Sequence, residues 1–280
     1  MISNLTPLSD VPLDVLNRHL KSLYDADWED ERGVIRFSAD IKLTELARAE
    51  IFHNARIFLN ALLEEGGTPT TATGNLTRAF VGRVFDRLQL DPAYRKMTRS
   101  VCKVINEQDV WRLHEVRLLV EYGKLVARHN RQFTVMKLGR ELLSDERAGE
   151  LFRRLFLTYF RTMDLCYLVH VRELPEIQAT LAITLWRLEQ VAENWRTVKG
   201  LAAQILPPRV LKHIISQQQG DFDNPDFFVS VYVLAPLRDF GLLERQRESE
   251  WRVGENDSVR VTPLFRRFIG FAEIPSVSNN

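Results

Sequence analysis

The chain has 280 residues, 45% of them hydrophobic and 27% charged, with a formal net charge of +1. This ordinary globular composition allows two domains or one large one, and either can bury a substantial core without disulfides or metals. No uncharged apolar run approaches the ~18 residues that a membrane span needs. The opening MISNLTPLSD has neither the basic nor the apolar part of a secretory leader, so the expectation is a soluble, cytoplasmic protein. Cys102 and Cys166 lie far apart inside apolar helical patterns and read as reduced core thiols.

The small net charge hides an asymmetry. Residues 1–75 carry 7 basic and 12 acidic side chains, residues 76–140 carry 14 and 6, and residues 141–280 carry 17 and 19. The middle surplus suits phosphate and an acidic protein surface equally well.

In chain order, Val15, Leu16, His19, Leu20 and Leu23 recur at helical spacing after Asp10 and Pro12, which predicts a short helix with an acidic cap. DADWEDERG is an acidic loop, and GVIRF is either a strand or the lead-in to the next helix. Residues 1–42 form an N-terminal extension on this reading.

From Thr44 to Glu65 one apolar face is made by Ile51, Phe52, Ala55, Phe58, Leu59 and Leu62, and Gly66-Gly67 stops the helix. TPTTAT suits a short strand, and Gly74-Asn75 opens a helix with Leu76, Phe80, Val84 and Leu88 inward. Asp91-Pro92 opens another helix, whose Arg95, Arg99 and Lys103 fall at i, i+4 and i+8 on one face. Between Asp109 and Leu143 the period changes twice. A helix runs to Gly123, two alternating segments flank the tip Arg128 to Gln132, and LGRELL closes. That order is the back half of a winged helix, so residues 43–147 form a first, basic module. Its last helix would be the one a DNA-binding winged module lays in the major groove, with Gln108, Arg112 and Glu115 outward and Arg117 paired with Glu121. Arg and Gln can read base edges, but Glu115 repels phosphate. The wing tip, with Arg128, His129 and Arg131 and no acid, suits backbone contact better.

Over residues 148–174 the run ELFRRLFLTYFRTMDLCYLVHV, from Glu150 to Val171, predicts one buried apolar helix joining two modules. Its aromatic residues Phe152, Phe156, Tyr159, Phe160 and Tyr167 read as core, with a partner, cofactor or small-ligand groove near Phe156 and Tyr167 as the alternative. Over residues 175–272 the pattern repeats, and Gly241 follows Gly123 by 118 residues. Pro207-Pro208 opens an inserted helix, and the second wing, Glu244 to Asp257, carries five acids against Arg245, Arg247 and Arg252. Residues 273–280 read as a frayed tail. The expected fold is mainly α with small β-wings, as tandem winged-helix modules joined by a buried apolar helix.

Catalytic patterns are not found. His114-Glu115 lacks the second histidine one turn on that a zinc protease needs, and reads as a core histidine beside a surface acid. His170 and Glu173 fail likewise. GGTPTTATGNLT has no lysine for a P-loop, so its glycines read as turn formers. Asp221, Asp223 and Asp226 fit no calcium loop, and Asn224-Pro225 is an ordinary helix start. The expectation is therefore a non-enzymatic protein with no cofactor and no bound metal.

The segments EEGGTPTTATGNLTRAFV, INEQDVWRLHEVRLLVEYGKLV and LFRRLFLTYF resemble a helical region of uncharacterised bacterial and plasmid-borne proteins, which in some cases accompanies a SEC-C metal-binding motif. The resemblance extends over roughly residues 44–270 and implies a bacterial or mobile-element origin with the same tandem helical fold. It supplies no activity and no functional residues. The chain has no Cys/His motif of the SEC-C kind at its end, so a metal role does not transfer.

Two functions compete on these residues. The first is a regulatory protein that contacts nucleic acid through its first module, with Arg78, Arg95, Arg99, Lys103, Arg128, Arg131 and Lys137 on phosphates and Gln108 and Arg112 as base readers. The second is a protein-interaction adaptor in which the winged helices are docking surfaces. There the acidic second module pairs with a basic partner, or with the basic first module of another copy in a homo-oligomer.

Overall fold

The computed structural model describes residues 11–169, 171–220, 223–247 and 254–274. Helices α1 (Leu13–Tyr24), α2 (Glu50–Glu64), α3 (Arg78–Arg87), α4 (Pro92–Val101), α5 (Trp111–Tyr122), α6 (Lys137–Leu142), α7 (Ala148–Leu157) and α8 (Leu165–Val169) alternate with strands β1 (Ile35–Phe37), β2 (Thr68–Pro69), β3 (Val126–His129) and β4 (Gln132–Val135). The second half adds α9 (Pro175–Ala179), α10 (Leu181–Val191), β5 (Arg196–Thr197), α11 (Ala202–Ile205), α12 (Pro208–Ser216), α13 (Pro225–Val229), α14 (Ala235–Asp239), β6 (Leu243–Gln246), β7 (Ser258–Val261), α15 (Pro263–Phe268) and β8 (Ile269–Phe271). The fold is mainly helical with small antiparallel sheets, as expected.

The two halves share one plan. Each starts with a long helix, adds a two-residue strand and several helices, and ends in a hairpin. The first strand pairs with the far strand of that hairpin, giving the orders β2-β4-β3 and β5-β7-β6. Each half thus carries a small three-stranded β-wing on a helical body. The first hairpin turns in two residues, since His129 lies opposite Gln132. Asn130 and Arg131 both take positive φ, 47° and 59°, as the tight hairpin turn of this twist requires.

The register of the repeat differs by one from the glycine spacing. Leu125 N–H bonds Val120 carbonyl and Leu242 N–H bonds Leu237 carbonyl, while Leu125 and Leu242 carbonyls accept from Met136 and Thr262. Leu125 is thus the counterpart of Leu242, 117 residues on. The counterpart of Gly241 (φ 72°) is Lys124 (φ 56°), not Gly123.

The expected single helix of residues 150–171 is broken at Met163, and a second helical run, residues 225–239, continues through a π turn. After α7 a π-helical turn, Thr158–Thr162, is closed by Met163 N–H on the Thr158 carbonyl at 2.9 Å. Met163 is extended, and Asp164 Oδ1 accepts from Cys166 N–H to start α8. Between α13 and α14 a second π turn, Ser230–Leu234, precedes Pro236, which has no N–H to continue an α-helical ladder. Phe152, Phe156, Tyr159 and Phe160 form core as expected, whereas Tyr167 on α8 is 52% exposed. Phe156 lies 5.3 Å from Phe37, 4.6 Å from Phe160, 5.3 Å from Phe240 and 5.0 Å from Phe268 between ring centroids. Cys102 and Cys166 are free and only half-buried, because each lies at a helix boundary.

Residues 13–42 are part of this body rather than an extension. Strand β1 pairs antiparallel with β8, with Arg36 opposite Gly270, and α1 buries Val15, His19 and Leu23, with the His19 ring 5.0 Å from Trp186 of α10. Asp10 and residues 275–280 of the expected tail lie outside the described residues. Among the described residues, no helix is long and apolar enough to cross a membrane.

Gly149 of α7 sits where a Cβ would come 2.1 Å from the Ala39 carbonyl and 2.6 Å from Ile41 N. Gly149→Ala must therefore push residues 39–41 off α7, with an expected loss of about 3 kcal/mol, measured by urea unfolding. His19 is buried with Nε2 unpartnered, and burial lowers its pKa from the ordinary 6.5. The unfolded chain then takes up the proton first, so stability is full above that ordinary value and is lost as pH falls through the lowered one. His19→Leu is expected to flatten the slope of stability against pH in this acidic range, read from unfolding midpoints across it.

Candidate functional site

Helix α5 is largely buried, with only its last residue, Tyr122, exposed. Leu113, Val116, Leu119 and Val120 are fully buried, and so are the polar residues Glu115 (3% exposed) and Arg117. The expected outward face therefore does not exist as a face. Arg112 Nη2 donates to Asp239 Oδ2 at 2.6 Å, its Nη1 bonds Glu115, and its Nε lies 3.3 Å from Glu50. Arg238 supplies a second cation to Asp239, Nη2 to Oδ1 at 2.7 Å, and Tyr159 Oη donates to Glu115 Oε1 at 3.1 Å. Arg112 is thus a strut between α2, α5 and α14, not a base reader. Gln108 is exposed, but in a short 3₁₀ turn before the helix.

Electrostatics follow from this enclosure. Burial works against the Arg112 charge, but Asp239, Glu115 and Glu50 more than offset it and raise its pKa. Burial also opposes ionisation of Asp239, yet Arg112 and Arg238 together hold its pKa down. Glu115 and Glu50 are pushed up, by burial first, because Arg112 is shared. Tyr159 is raised well above its ordinary value by burial and by Glu115.

A second buried centre surrounds Glu107, 1% exposed. Its Oε1 accepts from Arg117 Nε and His114 Nδ1, both at 2.6 Å, and its Oε2 accepts from Leu76 N–H at 2.6 Å. With Nδ1 donating, His114 Nε2 is the acceptor for the Tyr167 hydroxyl at 3.1 Å. Arg117 Nη1 reaches Glu121 at 2.7 Å, as its spacing predicts. Burial tends to raise the Glu107 pKa, but the His114 hydrogen bond, the Arg117 charge and the Leu76 N–H outweigh it and hold it below the ordinary value. This centre ties the α3 start, the 3₁₀ turn, α5 and α8 together. His114 is a core histidine as expected, whereas its neighbour Glu115 is buried, not a surface acid.

Much of the basic surplus is neutralised in space. Arg83 pairs with Glu65 at 2.7 Å and Arg87 with Glu64 at 2.6 Å. Arg95 and Arg99 do share a face of α4, but that face is turned to α3. Arg95 donates to the Phe85 and Leu88 carbonyls, and Arg99 to Asp86 at 2.5 Å. Lys103 lies beyond the end of α4, exposed. Arg128 is exposed yet donates to the Gly74 carbonyl at 3.3 Å and lies 3.6 Å from Glu121. Arg78 is exposed with Nε on Asn106, and Lys137 is exposed 3.7 Å from Glu141. Arg131 and His129 are exposed at the wing tip. The structure thus gathers Arg78 and Gln108 about the 3₁₀ turn and leaves Lys137 apart from them, on α6.

The opposite side of α4 carries a feature that the sequence reading passes over. Met97, Val101 and Val104 are 46%, 75% and 54% exposed, beside exposed Lys96 and Lys103. Their signal in KMTRSVCKV is an i, i+4 apolar pair followed by a third residue past the helix end. The turn around Asn224 is structural: Asp223 pairs with Arg172, and Asp226 accepts from Gly200 and Ala202 N–H groups. Among the described residues no His/Cys/Asp/Glu group is arranged to hold a metal, while Asp221, His170 and residues 248–253 of the second wing lie outside them.

Residues 47–149, the span from just before α2 to the start of α7, match the family model for the Y4jL N-terminal domain. The first module is similar to that domain. The match ends before the second module, so it covers less than the resemblance read from the sequence. No curated protein and no solved structure matches the chain.

Removal of Arg112 leaves Asp239 and Glu115 buried beside one fewer cation. Arg112→Ala is expected to cost about 3–5 kcal/mol, read as a lowered denaturation midpoint.

Proposed function

We propose that the protein is a non-enzymatic docking module that holds an acidic protein partner on the exposed side of α4. The observation that carries this reading is the exposure of Met97 and Val101 one turn apart on α4, and of Val104 just past its end, in a stretch that also exposes Lys96 and Lys103. Apolar side chains that stay in water at a basic rim favour a partner with both apolar and carboxylate groups. Nucleic-acid phosphates would use the cations and leave the apolar atoms wet. The burial of most of α5 and of α13–α14, where Phe228, Tyr232, Val233 and Leu237 are fully buried, favours this reading over one in which that helix enters a groove.

A second reading rests on the wing. Asn130 and Arg131 hold the tip in a tight turn, and His129 and Arg131 are exposed there, which suits contact with a phosphate backbone without base reading. The bacterial or mobile-element origin implied by the sequence resemblance is compatible with both readings.

One pair of variants separates them. Under the docking reading, photo-crosslinking from Ser100 captures a partner with an acidic segment, Val101→Asp abolishes the capture, and Arg131→Gln leaves it intact. Under the wing reading, polarisation of a labelled duplex shows salt-dependent binding. Arg131→Gln then lowers the log–log slope by about 0.9, and Val101→Asp has no effect.

A further inference from the structure

We propose that the cleft between α7, the end of α5 and the segment around Trp28 binds a small phosphate-bearing molecule. The cleft has a volume of about 290 Å³ and is lined by Lys124, Arg154, Arg161, Tyr122, Thr158 and Thr162 over Trp28 and Leu157, with Asp27 and Glu29 at one side. This is the small end of the range for ligand sites, enough for a phosphate and a short organic body.

Its cations are held but not neutralised. Arg161 stacks on the buried Trp28 ring at 5.2 Å, which fixes the guanidinium plane while leaving its N–H groups available. Arg154 donates only Nε, to the Gly123 carbonyl at 2.9 Å. Among the described residues neither arginine, nor Lys124, has a carboxylate within ion-pair distance. By contrast, Arg83, Arg87, Arg99, Arg112 and Arg117 each sit on one. A neighbouring pocket with four arginines differs in the same way. There Arg153 and Arg267 bond Glu29 and Asp40, Arg266 lies 3.1 Å from Glu193, and Arg36 bonds the Phe271 carbonyl.

Two backbone features meet at the cleft. Lys124 takes the left-handed conformation (φ 56°) at the position where the second module has Gly241. A side chain is disfavoured there, so Lys124 carries a strain cost that Gly241 does not. The π turn supplies Thr158, Arg161 and Thr162 together, since the widened turn shifts them out of α-helical register. Arginine forks, an ammonium and hydroxyls form the donor set for a multiply charged oxyanion. Of the two carboxylates at one side, Glu29 is paired with Arg153 at 3.2 Å and Asp27 Oδ1 is turned back to the Glu29 N–H at 2.9 Å, so the lining keeps three cations against one unpaired carboxylate.

The test is calorimetric titration of the full chain with inorganic phosphate and with pyrophosphate at constant ionic strength, with chloride as the blank. The expected result is saturable binding of one ion per chain. Arg161→Gln and Lys124→Gly should each weaken it about tenfold or more, while Arg140→Gln, which removes an exposed cation elsewhere, leaves it unchanged. Lys124→Gly eases the backbone as it removes the charge, so its melting curve supplies a folded variant for the comparison. Absence of saturable binding below about 10 mM, or equal weakening by Arg140→Gln, overturns the proposal. Val101→Asp should not alter phosphate binding, which separates this site from the docking face.

Discussion

The Arg112 cluster decides how the two modules face each other. One guanidinium touches carboxylates from α2, α5 and α14, so the helix that precedes each wing is held inside the molecule. A buried ion pair of this kind is poor at adding net stability, because desolvation offsets most of the Coulomb gain. What it does impose is geometry. Arg112 and Arg238 together hold the Asp239 pKa down against burial. Arg238 is its neighbour on α14, so the Arg112 contact is the one that depends on how the modules are placed.

What the cluster leaves outside on the first module is the wing tip with Arg131, the far side of α4 with Lys96, and the cleft beside α7 with Lys124, Arg154 and Arg161. Of the other arginines of the basic segment, Arg83 and Arg87 pair with Glu65 and Glu64, Arg99 with Asp86 and Arg117 with Glu107 and Glu121, while Arg95 closes the end of α3. Part of the basic surplus is thus used inside the fold, against the acidic end of α2 and within the basic segment itself. The match to a known domain family spans this first module only, which is also where the exposed features lie.

The repeat is kept in topology while its details diverge. Both modules end in the same strand order and both contain or adjoin a π turn, yet the left-handed position after the last helix is glycine in one and Lys124 in the other. The N- and C-terminal strands pair to each other, and Phe37 and Phe268 enter the same aromatic cluster as Phe156. The halves thus share one core instead of forming independent beads.

The amino-acid sequence by itself determined the element types, the wing, and the existence of a second copy. These depend on local period, on caps such as Asp91 and Asn224, and on glycine turns such as Gly66-Gly67, all of which act within a few residues. It also determined the Arg117–Glu121 pair, because i, i+4 neighbours meet on any helix. Only the tertiary structure decided which polar residues face water. Arg112 and Glu115 look like surface residues in a linear pattern, and their burial depends on Asp239, Glu50 and Tyr159 arriving from distant segments. The register of the repeat was likewise decided by hydrogen bonds at the wing and not by glycine spacing. The cleft around Arg161 was illegible for the same reason. It joins Trp28, Lys124 and Thr158, and nothing local in the chain records that they converge.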